Sequence, residues 1–149
     1  MENNDIQTIE PIWTENFTAI AMSSSDEYIP YLSVCLQSLV EHTSNKHNYD
    51  IVIFSASENK YNKDLIINSY SSKNIRFFNP QSLFAGRKLR ITHDYFNEAC
   101  YYRVVAPLVF KNYKKLIFTD IDLIFQTDIK FLDYIDVSNY PLAACKEPI

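Results

Sequence analysis

Short apolar runs alternate along this chain with segments of helical periodicity, and this alternation constrains the fold more than any other feature. Each run is bounded by polar or turn-forming residues, which is typical of a buried strand. The segments between the runs repeat apolar residues at helical spacing. Strands that alternate with helices predict right-handed βαβ units, and therefore an α/β fold with a mainly parallel sheet and helices on both faces.

The pattern predicts where each element lies. The predicted strands are residues 17–22, 50–54, 75–78, 115–119 and 141–145. The predicted helices are residues 28–42, 62–70 and 94–105, and Pro107 is expected to break or restart the last one. Residues 1–15 show no periodicity and predict an N-terminal tail, whereas residues 16–149 predict one domain. In a sheet of this kind, ligands bind at the carboxyl ends of the strands.

The chain contains a single glycine, Gly86, and this excludes two common nucleotide sites. A Walker A loop needs two glycines and a dinucleotide-binding fingerprint needs three, because the backbone there must approach phosphate closely. If the protein binds a nucleotide, side chains and a metal ion must hold the phosphates instead.

Composition excludes further classes of protein. The chain has 149 residues, 47% of them hydrophobic, and a net charge of −4, which argues against a general nucleic-acid binder. The polar N-terminus resembles no signal peptide, and no apolar run approaches the length of a transmembrane helix. Three widely spaced cysteines, Cys35, Cys100 and Cys145, indicate neither a disulfide framework nor a zinc site. We expect reduced thiols and a cytoplasmic protein.

Two aspartates at the end of the fourth predicted strand form the main candidate site. Asp120 and Asp122 flank Ile121, and side chains two apart on an extended backbone point to the same side. Two like charges held close together oppose folding, and a divalent cation removes that penalty. Oxygen ligands alone suit Mg²⁺ or Mn²⁺. The alternative is a solvated turn whose acids cap the next segment.

Two other elements carry candidate ligand-binding residues. Arg103 lies among aromatic residues on the third predicted helix, where its guanidinium could clamp a diphosphate or a sugar hydroxyl. The alternative is a surface arginine whose stem covers apolar neighbours. The loop at residues 23–28 offers hydroxyls, acids and a ring after the first strand. Its candidate residues are Ser23, Ser25, Asp26 and Tyr28. Ser25 or Asp26 could also cap the helix that follows.

Three segments together resemble glycosyltransferase family 8, which includes lipopolysaccharide galactosyl- and glucosyltransferases and glycogenin. They read Ala-Met-Ser-Ser-Ser-Asp-Glu-Tyr at 21–28, Ala-Cys-Tyr-Tyr-Arg-Val at 99–104 and Lys-Leu-Ile-Phe-Thr-Asp-Ile-Asp at 115–122. The resemblance spans about residues 17–146. It implies a GT-A (Rossmann-like) fold, a nucleotide-sugar donor that is usually a UDP-hexose, and transfer with retention of anomeric configuration.

The resemblance also implies roles for individual residues. Asp120 and Asp122 match the family's metal-binding DxD motif, which uses Mn²⁺ (or Mg²⁺), and Ile121 belongs to the same donor-binding segment. Arg103 matches an arginine that contacts the donor, and Tyr28 matches an aromatic residue that packs on uracil. The acceptor would be a glycan or a lipid-linked, lipopolysaccharide-type molecule. No residue is assigned as the catalytic group.

The sequence departs from the family in two ways. Ser25 and Glu27 replace the first Asp and the Asn of the family's usual loop, which puts recognition of the base and ribose in question. Family members are roughly twice as long, and no segment here matches their later histidine motif, HxxGxxKPW. We therefore expect a truncated, donor-binding N-terminal half that binds donor with little or no transfer. We also expect an exposed patch near residues 141–145 that favours self-association, and membrane association only through parts outside this chain.

Three other functions stay open at this point. A non-catalytic nucleotide-sugar-binding module would have the same fold without turnover. A haloacid-dehalogenase-type phosphatase also places DxD after a buried strand, with Asp120 as nucleophile, but its later motifs have no room here. A plain interaction domain is the third.

Overall fold

The computed structural model describes residues 6–90 and 97–146, which form four β-strands and three α-helices. The strands are β1 (Phe17–Ser23), β2 (Asn48–Phe54), β3 (Asn74–Phe78) and β4 (Ile117–Phe118). The helices are α1 (Ile29–His42), α2 (Lys60–Ser69) and α3 (Tyr102–Val109). Short 3-10 helices cover Asp26–Tyr28, Gln81–Phe84, Glu98–Tyr101 and Ile129–Tyr134.

The four strands form one parallel sheet in the order β3-β2-β1-β4, which confirms the predicted parallel architecture. β1 pairs with β2 over its whole length, from Phe17 opposite Asn48 to Ser23 opposite Phe54. The chain moves outward from β1 to β3 and then returns to the other side of β1. The direction of winding therefore reverses between β1 and β4, and such a reversal opens a crevice beyond the carboxyl ends of these strands.

Apolar side chains cover both faces of the sheet, as predicted. Alternate strand residues such as Ile20 and Ile51 pack with Leu36 and other residues of α1 and α2 on one face. Ala21 and Phe54 pack with α3 on the other. This division follows from the two-residue repeat of a strand, and it explains why the strand sequences are apolar throughout.

Two strand predictions are wrong. β4 contains only Ile117–Phe118, not residues 115–119, because its register with β1 is limited to Ile20 and Ala21. Residues 141–146 form no strand and are exposed; Leu142, for example, is 75% accessible. A short apolar run forms a strand only when it can pair with a neighbouring strand and pack its side chains against the core. Within 6–90 and 97–146, residues 141–146 pair with no strand.

The third predicted helix also differs from the structure. Residues 94–96 lie outside the described part of the chain, the 3-10 helix Glu98–Tyr101 follows, and α3 continues past Pro107 to Val109. Pro107 is exposed, whereas a stripe that includes Tyr102, Val105 and Val109 is buried against the sheet. Burial of this stripe outweighs the cost of the proline, so the predicted break is wrong. Of the helices within residues 6–90 and 97–146, none has both the length and the hydropathy that crossing a membrane requires.

The N-terminal segment 6–15 forms neither strand nor helix, but it contacts the domain. The Ile9 amide donates to the Val109 carbonyl at 3.0 Å. The Glu10 carbonyl accepts a hydrogen bond from Arg76 at 3.2 Å, and the Tyr113 hydroxyl lies 3.1 Å from the same oxygen. The predicted tail is therefore bound along the domain at these points.

Candidate functional site

The predicted site residues lie in loops at the carboxyl ends of β1 and β4 and at the start of α3. The loop after β2 lies beside them, since the Ser24 amide donates to the Phe54 carbonyl at 3.0 Å. These loops border the crevice that the strand order creates between β1 and β4. The topology thus brings distant parts of the sequence to one edge of the sheet.

The two aspartates follow β4 in a bent segment rather than on an extended strand. The Thr119 amide donates to the Ala21 carbonyl at 3.0 Å, and the chain then bends at Ile121 and Asp122. Ile121 is buried in the core cluster that includes α1, whereas Asp120 and Asp122 are exposed. The expectation of an extended backbone at this motif is wrong. The chain bends so that the Ile121 side chain packs into the core. Both carboxylates nevertheless reach solvent beyond the strand.

Arg103 forms an ion pair with Asp120. Its Nη2 contacts Asp120 Oδ1, and its guanidinium lies 5.5 Å from the centroid of the Phe118 ring. The side chains of Arg103 and Asp120 are 48% and 54% exposed. An exposed pair of this kind adds little to stability, so both groups stay accessible to a ligand. The structure therefore joins two of the predicted donor-binding residues, 17 positions apart in the sequence.

Polar contacts hold the loop after β1 in place. Asp26 Oδ1 accepts hydrogen bonds from Ser57 Oγ at 2.6 Å and from Asn62 Nδ2 at 3.4 Å. Neither Ser25 nor Asp26 caps a helix through its side chain, so that alternative is wrong. The Tyr28 ring packs against the core and lies 5.6 Å from the Tyr31 ring. Ser23 is the last residue of β1.

A pocket of about 250 Å³ lies between these loops. Its walls are Ser24, Ser25 and Asp26, then Ala56 and Ser57, then Asn97, Glu98, Ala99 and Tyr102. Ser57 and Asn97 of this wall are not among the site residues predicted from the sequence. Ser57 could have been found, because it follows the second buried strand, but the place of Asn97 depends on contacts between distant segments.

A second, wider groove of about 400 Å³ runs along α1. Its charged wall residue, Glu41, accepts a hydrogen bond from Gln37 at 2.7 Å. Its walls include none of the predicted site residues, whereas those of the smaller pocket include Ser25 and Asp26. We therefore place the candidate site at the smaller pocket and the nearby ion pair of Arg103 with Asp120.

Cys35, a buried residue of α1, contacts the backbone of the segment that carries Asp120 and Asp122. Its Sγ lies 4.0 Å from the Asp120 carbonyl oxygen, to which the thiol donates. Burial raises the pKa of Cys35 to about 11, and the negative charge of Asp122 also raises it. The thiol is therefore protonated near neutral pH and acts as a neutral donor to the backbone. Burial also raises the pKa of the Tyr102 phenol in the pocket wall, and the charge of Glu98 raises it further.

The chain is similar in sequence to glycosyltransferases. The model of glycosyl transferase family 8 matches residues 19–148. A Haemophilus influenzae protein, provisionally described as a glycosyltransferase, is 33% identical over 129 residues, which are 86% of this chain and 38% of that protein.

Solved structures share the fold. WbbM, a bifunctional glycosyltransferase, superposes with a TM-score of 0.74 at 23% identity, over 89% of this chain and 23% of its own. The galactosyltransferase LgtC, solved in complex with donor and acceptor sugar analogs, gives 0.65 at 24% identity, over 80% of this chain and 43% of its own. The chain thus spans less than half the length of each of these three proteins. Its parallel sheet and helices are those of a GT-A glycosyltransferase domain, and the chain belongs to glycosyl transferase family 8.

Proposed function

We propose that this protein transfers a hexose from a UDP-sugar to a glycan or lipopolysaccharide-type acceptor, with retention of anomeric configuration and with the help of a divalent metal. The contact between Arg103 and Asp120, beside the pocket at the carboxyl end of the sheet, carries this proposal. This contact joins a guanidinium, a group that suits phosphate, to a carboxylate, a group that suits a divalent metal, and so supports the proposal.

The side chains present fit a divalent cation that also binds the donor. Asp120 and Asp122 supply two exposed carboxylates, and oxygen ligands suit Mn²⁺ or Mg²⁺. Within residues 6–90 and 97–146, no three acidic, histidine or cysteine side chains cluster as a complete cation site. Such ions commonly complete their coordination with substrate phosphates and water. When bound, the ion would supply Lewis-acid neutralisation of the charge that develops on the UDP leaving group.

The residues of the chain would bind and orient the donor. Arg103 would donate to a phosphate oxygen or a sugar hydroxyl, since its guanidinium has further N–H groups beyond the one that contacts Asp120. Asp26 would accept from ribose hydroxyls through the carboxylate oxygen that Ser57 and Asn62 do not contact. Ser25 would contact the base from the pocket wall. Ser23 and Tyr28 are not part of that wall, and the Tyr28 ring packs against the core, so their predicted donor contacts would involve parts of the donor outside this pocket.

Calorimetric titration of the chain with UDP, in Mn²⁺ and in chelator, tests the proposal. Wild-type protein should bind UDP only with Mn²⁺, and Asp120→Asn and Asp122→Asn should abolish the metal-dependent part. Asp64→Asn is the matched control and should bind like wild type, because Asp64 is an exposed residue of α2 that is not part of the pocket wall. Equal affinity in Mn²⁺ and in chelator would contradict a role for metal.

Proton NMR of a UDP-hexose incubated with the chain and Mn²⁺ tests the stereochemistry. The hexose that is first released or transferred should have the anomeric configuration of the donor. Release of the opposite anomer would contradict retention.

A further inference from the structure

We propose that Asn97 sets the hydrogen-bonding direction of Ser25, and that the Ser25 hydroxyl then donates to a carbonyl oxygen of the donor's base. This inference rests on the proposed function, because it takes the pocket of about 250 Å³ as the nucleoside end of a donor site. It assigns a specificity-determining role to a residue that lies outside the three motifs.

The orientation of the Asn97 amide is fixed by its two neighbours. The Ala99 backbone amide donates to Asn97 Oδ1 at 3.0 Å. A backbone N–H can only donate, so the oxygen of the side-chain amide must lie on that side. The NH₂ group consequently faces Ser25, and Nδ2 lies 3.1 Å from Ser25 Oγ.

This contact uses Ser25 Oγ as an acceptor and leaves its own proton available. The Ser24 hydroxyl already donates to the Ser25 carbonyl at 3.0 Å. The Ser57 hydroxyl donates to Asp26 at 2.6 Å. Among residues 6–90 and 97–146, the Ser25 hydroxyl proton has no acceptor within hydrogen-bonding distance. Of the three serine hydroxyls in the pocket wall, Ser25 therefore presents a donor to a ligand.

The size and lining of the pocket favour a base. A volume of about 250 Å³ is below the roughly 300–1,000 Å³ of pockets that enclose a drug-sized ligand, so it suits one part of a nucleotide sugar. Ala56, Ala99 and Tyr102 provide apolar wall for a flat ring. Arg103, the next residue after Tyr102, contacts Asp120, so the diphosphate would extend from the pocket past the first turn of α3.

Asn97→Asp reverses the direction of this hydrogen bond without removing the helix cap. One oxygen of the new carboxylate still accepts from the Ala99 amide, but the other faces Ser25 and accepts the proton that the ligand would have used. In calorimetry with Mn²⁺, we expect the affinity for UDP to fall about five- to tenfold, the effect of one hydrogen bond, while affinity for pyrophosphate stays unchanged.

Ser25→Ala provides an independent variant, because it removes the donor and leaves the Asn97 cap intact. It should weaken UDP binding by a similar factor, and the double variant should bind no worse than either single one, since the two residues act through one hydrogen bond. Asn79→Asp is the matched control for added charge. Asn79 accepts from the Gln81 amide at 2.9 Å, just as Asn97 accepts from Ala99, and it is not part of the pocket wall, so this change should leave UDP affinity unchanged.

The outcomes separate this inference from the proposed function. Unchanged UDP affinity in Ser25→Ala, equal losses for UDP and pyrophosphate in Asn97→Asp, or additive effects in the double variant would each overturn it. Wild-type protein that binds UDP no more tightly than pyrophosphate would overturn the base pocket but leave metal-dependent diphosphate binding standing. Failure to bind either ligand would overturn both. Thermal unfolding of each variant verifies folding, and Ser25→Ala decides the matter if Asn97→Asp does not fold.

Discussion

Two buried threonine oxygens differ in whether they have a hydrogen-bond partner, and this decides what each contributes to stability. Thr18, fully buried in β1, contacts Asp133 Oδ2 and lies 2.9 Å from His47 Nε2. The Thr119 oxygen, just beyond β4, is also buried, but it has no hydrogen-bond partner within residues 6–90 and 97–146. A buried hydroxyl without a partner costs free energy, whereas a paired one stabilises the fold.

The same substitution should therefore have opposite effects at the two positions. Thr119→Val keeps the shape and removes the unpaired oxygen, so we expect the free energy of unfolding to rise by about 1 kcal/mol. Thr18→Val should lower it by about 1–3 kcal/mol, because Asp133 loses a donor. Urea denaturation measures both, and a lower midpoint for Thr119→Val would show that its hydroxyl is satisfied in solution.

At the scale of elements, the 3-10 helix Ile129–Tyr134 is bound at both ends. At its start, Asp128 accepts from the Tyr49 hydroxyl at 2.7 and 2.8 Å and from the Ser44 amide at 3.0 Å. At its end, Lys115 Nζ donates to the carbonyls of residues 132, 133 and 135 at 2.8, 3.0 and 2.6 Å. These bonds fix the segment that follows the two aspartates, and so limit how far the aspartates can move.

The Asp128 contacts make this anchor dependent on pH. Burial acts to raise the pKa of Asp128, but the hydrogen bonds from Tyr49, Lys130 and Ser44 together outweigh it, and the pKa is lowered. The ionised carboxylate therefore stabilises the fold above the pKa of an unfolded aspartate, about 3.9, and this contribution is lost as the pH falls through the lower folded value.

Asp128→Asn should consequently cost more stability at neutral pH than in acid. We expect a loss of about 1.5–3 kcal/mol at pH 7, the range for hydrogen bonds to charged groups, and a smaller loss near pH 3. Urea denaturation of both proteins at the two pH values measures the difference. A loss that does not depend on pH would show that the charge of Asp128 is not what stabilises the segment.

The sequence predicts a strand or helix correctly where the residues of that element alone carry the signal. The apolar runs of β1 and β2 and the helical spacing of α1 predicted these elements correctly, because burial on both faces of a sheet and helical periodicity are local signals. The length of β4 depends on its pairing with β1, and the continuation of α3 through Pro107 depends on its packing against the sheet. Arg103 and Asp120 were predicted separately, but their contact and the role of Asn97, 72 residues from Ser25, need the folded chain.

At the scale of the whole molecule, one buried carboxylate joins four parts of the chain. Asp50 of β2 is completely buried and accepts from Arg76 of β3, with Nη2 at 2.8 Å from each oxygen. The Tyr113 hydroxyl donates to it at 2.8 Å and the Ile12 amide at 3.3 Å. This network connects two strands with the N-terminal segment and with the residues after α3.

Loss of the arginine should therefore affect the stability of the whole domain. Arg76→Met should lower the free energy of unfolding by about 3 kcal/mol, because a buried charge loses its partner. Adding Asp50→Asn should restore part of that loss, since no net charge then stays buried. Urea denaturation of the single and double variants checks both statements, and a double variant less stable than Arg76→Met would contradict the second.

The position of that network has a consequence for how such a protein can diverge. Thr18 and Asp50 lie toward the amino ends of their strands, whereas Ser25, Asp26 and Asp120 lie beyond the carboxyl ends. Substitutions in the loops that would contact a donor therefore lie at the opposite end of the strands from the hydrogen bonds of Thr18 and Asp50. An ancestral scaffold of this kind could exchange one sugar or base preference for another through loop substitutions, with each intermediate sequence still folded and open to selection.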